Sequence, residues 1–470
     1  MKVLFFEPYA HYNIHFGTAL ELMQRHLNAG DEVLLLGCNA AIAACDINPE
    51  HKWNICTLCQ SKRRKGLKKL SRQPQYRPFP WVTQEQQQRI DQLQVDFPSL
   101  EALKEYRVGH FDIGYAVAST LIWHYRNPEL PLADYRQVTA NLIRTAFVAY
   151  FSMENYLEDF APDRVYLFNG RLGILRGVLR LCQQRGVDCY IHERGADLKK
   201  FMLYKNHLPH NREKVDGLIR QHWEEAGDGK WRIADEYYQR RRAGASLFSY
   251  TTRQAPGKLP EQWDADKEHV VLFNSSEDEF ASIGKEWDIP FYRDQLDGIQ
   301  QLAAHFKDDP ARQFFLRIHP NLAKVDNPAV RQLYELGQPN FFVIPPGSDV
   351  SSYDLMLEAD KVITFGSTTG IEAAYWGKAS ILLRPCYYYS MGSTYNPGSH
   401  EETCRLIATP HLPAKDKTGA MMYGFYRSTF GTPFQYFEGL DYREGKFKGE
   451  PLEPENWLKL LLQAKEFLAG

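Results

Sequence analysis

The apolar positions of this chain fall into short uninterrupted runs, separated by longer stretches in which apolar residues recur every three or four positions. In the first half the runs of strand length are KVLFFE (Lys2 to Glu7), EVLLL (Glu32 to Leu36), RVYLF (Arg164 to Phe168) and DCYIH (Asp188 to His192). Their counterparts in the second are EHVVLF from Glu268, FFLRI (Phe314 to Ile318), FFVI (Phe341 to Ile344), KVITF (Lys361 to Phe365) and SILL (Ser380 to Leu383). A strand that is apolar throughout is covered on both faces, which is the condition of a parallel sheet layered between helices. The stretches between the runs supply those helices: about Thr18 to Ala29, Tyr135 to Tyr156, a segment ending near Gln184, and Asn211 to Glu225. The second half adds Gln295 to Lys307, Ala329 to Leu336, Ser352 to Ala359 and Gly370 to Trp376. Gln84 to Leu93 also reads as helix, but a polar one. Strands alternating with helices at this pitch predict a doubly wound α/β architecture.

The alternation starts twice, at Lys2 and again at Glu268, and 470 residues exceed what a single core usually holds. The segment Gln254 to Lys267, polar and containing two prolines, reads as the linker. The expected organisation is a Rossmann-like domain over residues 1–253 with a helical insertion, a linker over 254–267, a second Rossmann-like domain over 268–450, and a terminal stretch 451–470. The last would carry a helix, Glu455 to Leu468, that crosses back to the first domain. Two such domains facing a central cleft would line it with strand ends, the usual place for a ligand.

Composition narrows the picture in three places. A formal charge of −2 gives no bulk electrostatic reason to expect nucleic acid as a partner. The chain opens directly on a strand and no apolar run reaches the length of a membrane span, so a cytoplasmic location is expected. Lys62 to Arg72 concentrates seven basic residues, which read either as a solvated loop or as a peripheral docking site on the anionic inner membrane or a polyanionic acceptor. Finally, Cys38, Cys45, Cys56 and Cys59 fall close together with the spacing C-x6-C-x10-C-x2-C. This reads either as inert reduced thiols or as a structural zinc site, and the spacing is irregular for a zinc ribbon.

The candidate chemistry gathers behind the strand runs. RIHPN (Arg317 to Asn321) follows one of them, and Pro320 restricts His319 to an extended backbone that stops at the strand end. FGSTTGIEAAYWGK (Phe365 to Lys378) follows another and leads into a helix, so that Gly366, Ser367, Thr368, Thr369 and Gly370 present hydroxyls and N–H groups at its start. With Arg317 and His319 as further donors, the two segments read as a diphosphate site. Glu372 falls in the first helical turn, where it either reaches a ribose hydroxyl or only complements the helix dipole. The loop SSEDEF opens at the same edge; Ser275 and Ser276 could bind phosphate and Glu277 or Glu279 sugar hydroxyls, or the loop is simply a helix cap.

Over about Val270 to Tyr389 this pattern resembles the donor-binding half of GT-B glycosyltransferases, and within them the capsule and surface-polysaccharide biosynthesis proteins. RIHPN, VIPPGSDVSSYDLMLEAD (Val343 to Asp360) and the GSTTGIEAAYWGK segment carry the resemblance. It implies that Arg317 and His319 contact the phosphates of a nucleotide sugar, CMP- or UDP-linked, that the Ser/Thr loop cradles them, that Glu372 holds the ribose, and that backbone near Ile344 meets the base. No further cofactor is implied, and no D-x-D motif follows a strand to call for a divalent metal. Retaining enzymes of this fold carry a second glutamate eight positions before the ribose glutamate; here Thr364 stands there, which favours an inverting mechanism. HPN and the helix ending in Gly-Lys are also similar to nucleotide-sugar 2-epimerases. Against that rival stand the EPYAHYNIHFG segment after the first strand and a Ser/Thr loop where epimerases are glycine-rich.

An inverting transferase needs a base for the acceptor hydroxyl, expected from the first, acceptor-side domain. Glu7, His11 and His15 follow its first strand, Asn169 and Arg171 another, and Glu193 and Arg194 a third. Each alone reads equally as an ion pair, cap or core residue. As a set, Glu193 is the favoured base with His15 and His11 as alternatives, and Asn169, Arg171 and Arg194 orient the acceptor or leaving group. The expected partners are a nucleotide sugar and a glycan acceptor, lipid-linked in one version, and the alternatives are a 2-epimerase or a sugar-nucleotide-binding protein without turnover.

Overall fold

The computed structural model of the protein describes residues 1–244, 254–442, 444–458 and 461–462. Strands β1 (Lys2–Glu7), β2 (Glu32–Gly37), β3 (Gln75–Pro78), β4 (Arg164–Phe168), β5 (Asp188–Arg194) and β6 (Lys200–Lys205) belong to one sheet. Strands β7 (Glu268–Phe273), β8 (Arg312–Arg317), β9 (Phe341–Ile344), β10 (Lys361–Thr364) and β11 (Ala379–Leu382) form a second, parallel throughout. Each expected strand is present to within about two residues at either end. Both parts are Rossmann-like: the first sheet runs β3-β2-β1-β4-β5 in parallel, and the second β9-β8-β7-β10-β11. In each, the strand order reverses beside the first strand, between β1 and β4 and between β7 and β10. Chains leaving the carboxyl ends there diverge to opposite faces and open a crevice.

Side-chain alternation explains the uninterrupted apolar runs. In β7, Val270 and Leu272 enter a core with Ile299, Leu302 and Phe314, whereas Val271 and Phe273 enter a second core with Phe315, Leu355 and Ala373. Both faces of the strand are therefore dry, and no polar position can appear in the run.

The chain divides into two units at places other than those expected. The first comprises residues 1–125, 129–211 and 430–470, the second 126–128 and 212–429. The helices Arg212–Glu224 and Lys230–Arg242 belong to the second unit, where Tyr238 stacks on Tyr375 at 4.0 Å. Past Thr429 the chain re-enters the first unit, so that unit, not the second, receives residues 430–450. There β12 (Thr432–Pro433) pairs antiparallel with β6, and β13 (Phe437–Gly439), β14 (Gly445–Phe447) and β15 (Glu450–Pro451) form a small antiparallel sheet. The expected helix Glu455 to Leu468 falls largely on residues outside the described ones.

One buried carboxylate fastens this return. Glu21, fully buried on the helix Asn13–Asn28, accepts the N–H groups of Gln435 (3.0 Å), Tyr436 (2.7 Å) and Phe437 (3.1 Å), and Arg25 donates to it at 2.8 Å. Gly17, one turn earlier, leaves room for the Phe437 ring; a Cβ there would stand 2.3 Å from it. Charge-assisted bonds to three consecutive amides satisfy donors that would otherwise be buried unpaired. Glu21→Ala should therefore destabilise the first unit by about 3 kcal/mol, read as a lowered urea midpoint; a loss below about 0.5 kcal/mol would mean that the strap is held by packing alone.

Candidate functional site

The crevice of the second unit is built by the loops after β7, β8 and β10. Asn274 leaves β7 and accepts the His319 N–H at 2.7 Å, tying that loop to the end of β8. Ser275 donates its N–H to Gln295 (2.9 Å) and its hydroxyl to the Phe365 carbonyl (2.9 Å), joining it to the end of β10. Gly366 takes φ 92°, the left-handed turn that glycine allows, and Ser367 then caps the helix Thr368–Tyr375 by accepting the Thr369 N–H at 3.3 Å. The helix starts two residues earlier than expected, which places Thr368 and Thr369 in its first turn.

His319 keeps the extended backbone that Pro320 demands, with φ −59° and ψ 129°. Its Nδ1 accepts the Asn321 N–H at 3.1 Å, so the ring proton sits on Nε2. Burial first, then the neighbouring Arg126 charge, lowers the ring to about 4, leaving a neutral donor at ordinary pH. Arg317 behaves differently. It is almost fully buried, and its guanidinium donates to the carbonyls of Pro345 and Ser348 and to the Ser352 hydroxyl, fixing the loop after β9. Burial brings it down to about 10. It lines the crevice while most of its donors hold the wall.

Glu372 is buried and doubly held, by an ion pair with Arg241 at 2.7 Å and by the hydroxyl of Tyr353. Arg317, His319, Ser367, Thr368, Thr369 and Glu372 all line one open cavity, with about 820 Å³ of empty space including its mouth, together with Arg241, Asn274 and Tyr353. A neighbouring cavity of about 780 Å³ shares His319, Ser367 and Thr368 and is bounded by Ser275, Ser276, Glu279, Trp287 and Arg427. Gly370, Ile344 and Glu277 line neither. The Ile344 carbonyl accepts the Ile318 N–H at 3.0 Å within the sheet, and Glu277 pairs with Arg384. Arg126 and Arg241 carry no motif, and Tyr353, within the Val343–Asp360 segment, was given no role by the sequence. Arg126 braces the SSEDEF loop through Asp278 (3.0 Å) and Ser276 (3.1 Å), and the run Arg240–Arg242 is the only trace Arg241 leaves in the sequence.

In the first unit the candidates gather at the ends of β1, β4 and β5. Glu7 and His192 form a buried pair at 2.8 Å. Asn169, in the left-handed region at φ 56°, donates to the Glu193 carboxylate at 2.6 Å and accepts the Arg171 N–H at 3.1 Å. Burial pushes the Glu193 carboxyl above the usual carboxylate range, with the Asn169 bond pulling the other way. His15 lies in the first turn of a helix that begins five residues earlier than expected, its ring 3.7 Å from that of Phe168. Burial, then His192 and Arg194, holds it far below its ordinary value and so neutral. His11 is exposed, and its carbonyl accepts from Lys62 at 2.8 Å. Glu193 and Arg194 lie within β5 rather than beyond it, because β6 pairs with them opposite Met202 and Phe201.

Lys62 to Leu67 of the basic segment form the end of the helix Trp53–Leu67 rather than a loop, and the segment spends much of its charge internally. Lys62 and Arg63 are buried; Arg63 donates to the carbonyls of Glu7, Pro8 and Cys38, clamping the ends of β1 and β2. Lys65 pairs with Glu455 and Lys69 with Glu450. Arg64, Lys68 and Arg72 remain exposed. Among the four clustered cysteines, Cys59 accepts the Ala10 N–H and Cys56 an amide hydrogen of Asn48. They do not bring three sulfurs within 4.8 Å of one another. Among the described residues, no helix is long and apolar enough to cross a membrane.

No family model and no curated protein matches the chain. Among solved structures it is similar to the KpsC beta Kdo 2,4 transferase of Thermosulfurimonas dismutans, at 13% identity and TM-score 0.39 over 64% of this chain and 87% of that one. The KpsC beta Kdo 2,7 transferase of the same organism aligns at 16% identity and TM-score 0.35 over 67% and 89%. A UDP-GlcNAc 2-epimerase from Neisseria meningitidis, bound to UDP-GlcNAc, aligns at 11% identity and TM-score 0.31 over 90% and 97%. Likeness at this level leaves strand order and site geometry to stand on their own.

Because burial favours the neutral His319 ring, the unfolded chain takes up its proton near the ordinary value of about 6.5, whereas the folded ring does so only at about 4. Its contribution to stability is complete above the first value and is lost as pH falls towards the second. The urea midpoint of wild type should drop over that window by more than that of His319→Gln; parallel drops would show that the ring carries none of the effect.

Proposed function

We infer that the chain is a glycosyltransferase that moves a sugar from a nucleotide-activated donor to a glycan acceptor. The observation that carries this reading is the cavity at the strand-order reversal of the second sheet. There a neutral His319 and the hydroxyl-bearing first turn of Thr368–Tyr375 meet beside the Arg241–Glu372 pair. A helix N-terminus, an imidazole N–H and a guanidinium are complementary to a diphosphate or monophosphate, and they stabilise it more as charge develops during departure. Glu372, oriented by Arg241 and Tyr353, retains lone pairs for a ribose hydroxyl.

The reaction is inverting. The acceptor hydroxyl loses its proton to the Glu193 carboxylate as its oxygen attacks the anomeric carbon, and the bond to phosphate breaks with its electron pair leaving on the nucleotide. Glu193 is suited to this because burial makes it a stronger base than a solvated carboxylate. His15 is neutral but packed on Phe168, and His11 is exposed, so both rank behind it. The donor is CMP- or UDP-linked, and the acceptor, a growing chain of bacterial capsule or other surface polysaccharide, is lipid-linked. Positive groups of the chain neutralise the leaving phosphate without a divalent metal.

Thermal-shift screening with CMP, UDP, GDP and dTDP should show stabilisation by one nucleotide class, weakened about tenfold in His319→Ala; no shift with any of them would remove the donor site. Incubation with nucleotide sugars should release free nucleotide and extend a glycan, whereas an epimerised sugar would favour the epimerase and binding alone a protein without turnover. Glu193→Gln should keep nucleotide binding and lose at least about a hundredfold in transfer rate. The acid limb of the wild-type pH profile should lie above the ordinary carboxylate value and vanish in that variant. Full activity would move the base to His15 or His11.

A further inference from the structure

Away from the crevice, the second unit holds one further gathering of soft ligand atoms. His305 ends the helix Gln295–His305, and His400 and Cys404 lie one turn apart on the helix His400–Ala408, which Ser399 caps. The i and i+4 spacing sets the last two on a common helix face. One ligand atom from each of the three lies within 4.8 Å of the others, and among the described residues no other such group of histidine, cysteine and carboxylate occurs. The His305 and His400 rings approach at 5.6 Å between centroids.

Two details of this group match metal ligation. The His400 Nε2 and Cys404 Sγ are 3.4 Å apart. Bond lengths of about 2.0 Å to nitrogen and 2.3 Å to sulfur at a tetrahedral angle place such a pair about 3.5 Å apart, so the edge of a zinc tetrahedron is already formed. On the other side of the ring, His400 Nδ1 lies 2.7 Å from the hydroxyl of the buried Tyr292. A second hydrogen bond of this kind fixes ring orientation and tautomer and leaves Nε2 for the metal.

We propose that His305, His400 and Cys404 bind a zinc ion, with water in the fourth position on the side of exposed His305. Two imidazoles and a thiolate select a borderline-soft divalent ion over magnesium or calcium. On binding, the Cys404 sulfur gives its proton to solvent and its lone pair to the metal. The role is structural. Cys404 and Leu302 belong to one apolar core, and the metal clips the two helices together at its rim. The site stands about 15 Å along the helix axis from Gln295, which holds the Ser275 loop, so it does not reach the crevice.

The test is cobalt substitution and thermal unfolding on the whole chain after chelation. Titration with Co²⁺ should give one equivalent of thiolate-to-metal charge-transfer absorption, lost in Cys404→Ser and weakened at least tenfold in His305→Ala. Zinc should raise the unfolding temperature of wild type and not of His305→Ala, an exposed position whose substitution leaves the fold intact. An undiminished absorption band in Cys404→Ser would overturn the proposal and assign the thiolate to another cysteine. Absence of any cobalt binding, or an equal zinc shift in His305→Ala, would overturn it as well. Should Cys404→Ser fail to fold, the His305→Ala comparison decides.

Discussion

Parallel pairing is the constraint from which the rest of this protein follows. When the core strands of a sheet run the same way, their carboxyl ends share one edge, and every loop that leaves that edge starts beside the others. The order β9-β8-β7-β10-β11 sends the chains after β7 and β10 to opposite faces, and β3-β2-β1-β4-β5 does the same after β1 and β4. The polar residues that the apolar strands cannot accommodate therefore accumulate at two edges, one in each unit. His319, Asn274, Ser367 and Glu372 meet for that reason, as do Glu7, Asn169 and His192.

An edge of this kind also has a cost, because loop carbonyls and amides are buried there without sheet partners. Long basic side chains meet it. Arg317 satisfies the carbonyls of Pro345 and Ser348, and Arg63 those of Glu7, Pro8 and Cys38. Both guanidiniums reach several acceptors with one planar fork, which lysine cannot do. The charge that reads as a ligand contact or a surface patch in the sequence is in large part the internal scaffold of the edge.

That distinction marks how far the sequence was legible. β4 and β7 are readable because a strand dry on both faces has no polar position to interrupt it. The loop residues Ser367 to Thr369 are readable because glycine and hydroxyls before a helix have a local meaning. The helix Trp53–Leu67 is not, since its buried face carries Lys62 and Arg63, whose partners lie far away in the chain. Arg241 and Arg126 are equally silent, and the role of Tyr353 is too, though its segment is not: each acts through a contact that only the folded unit creates. Even the unit boundary belongs here, because Glu21 and the amides of 435–437 are more than four hundred residues apart.

The discontinuity of the first unit bears on the order of events during synthesis. The segment that completes its sheet, β12, and the strap that Glu21 holds leave the ribosome after the whole of 212–429. A nascent chain can thus close the downstream unit while the upstream one still lacks an edge strand, with β6 offering an unpaired ladder to other chains in the interval. For this molecule, the N-terminal half is the part whose maturation waits.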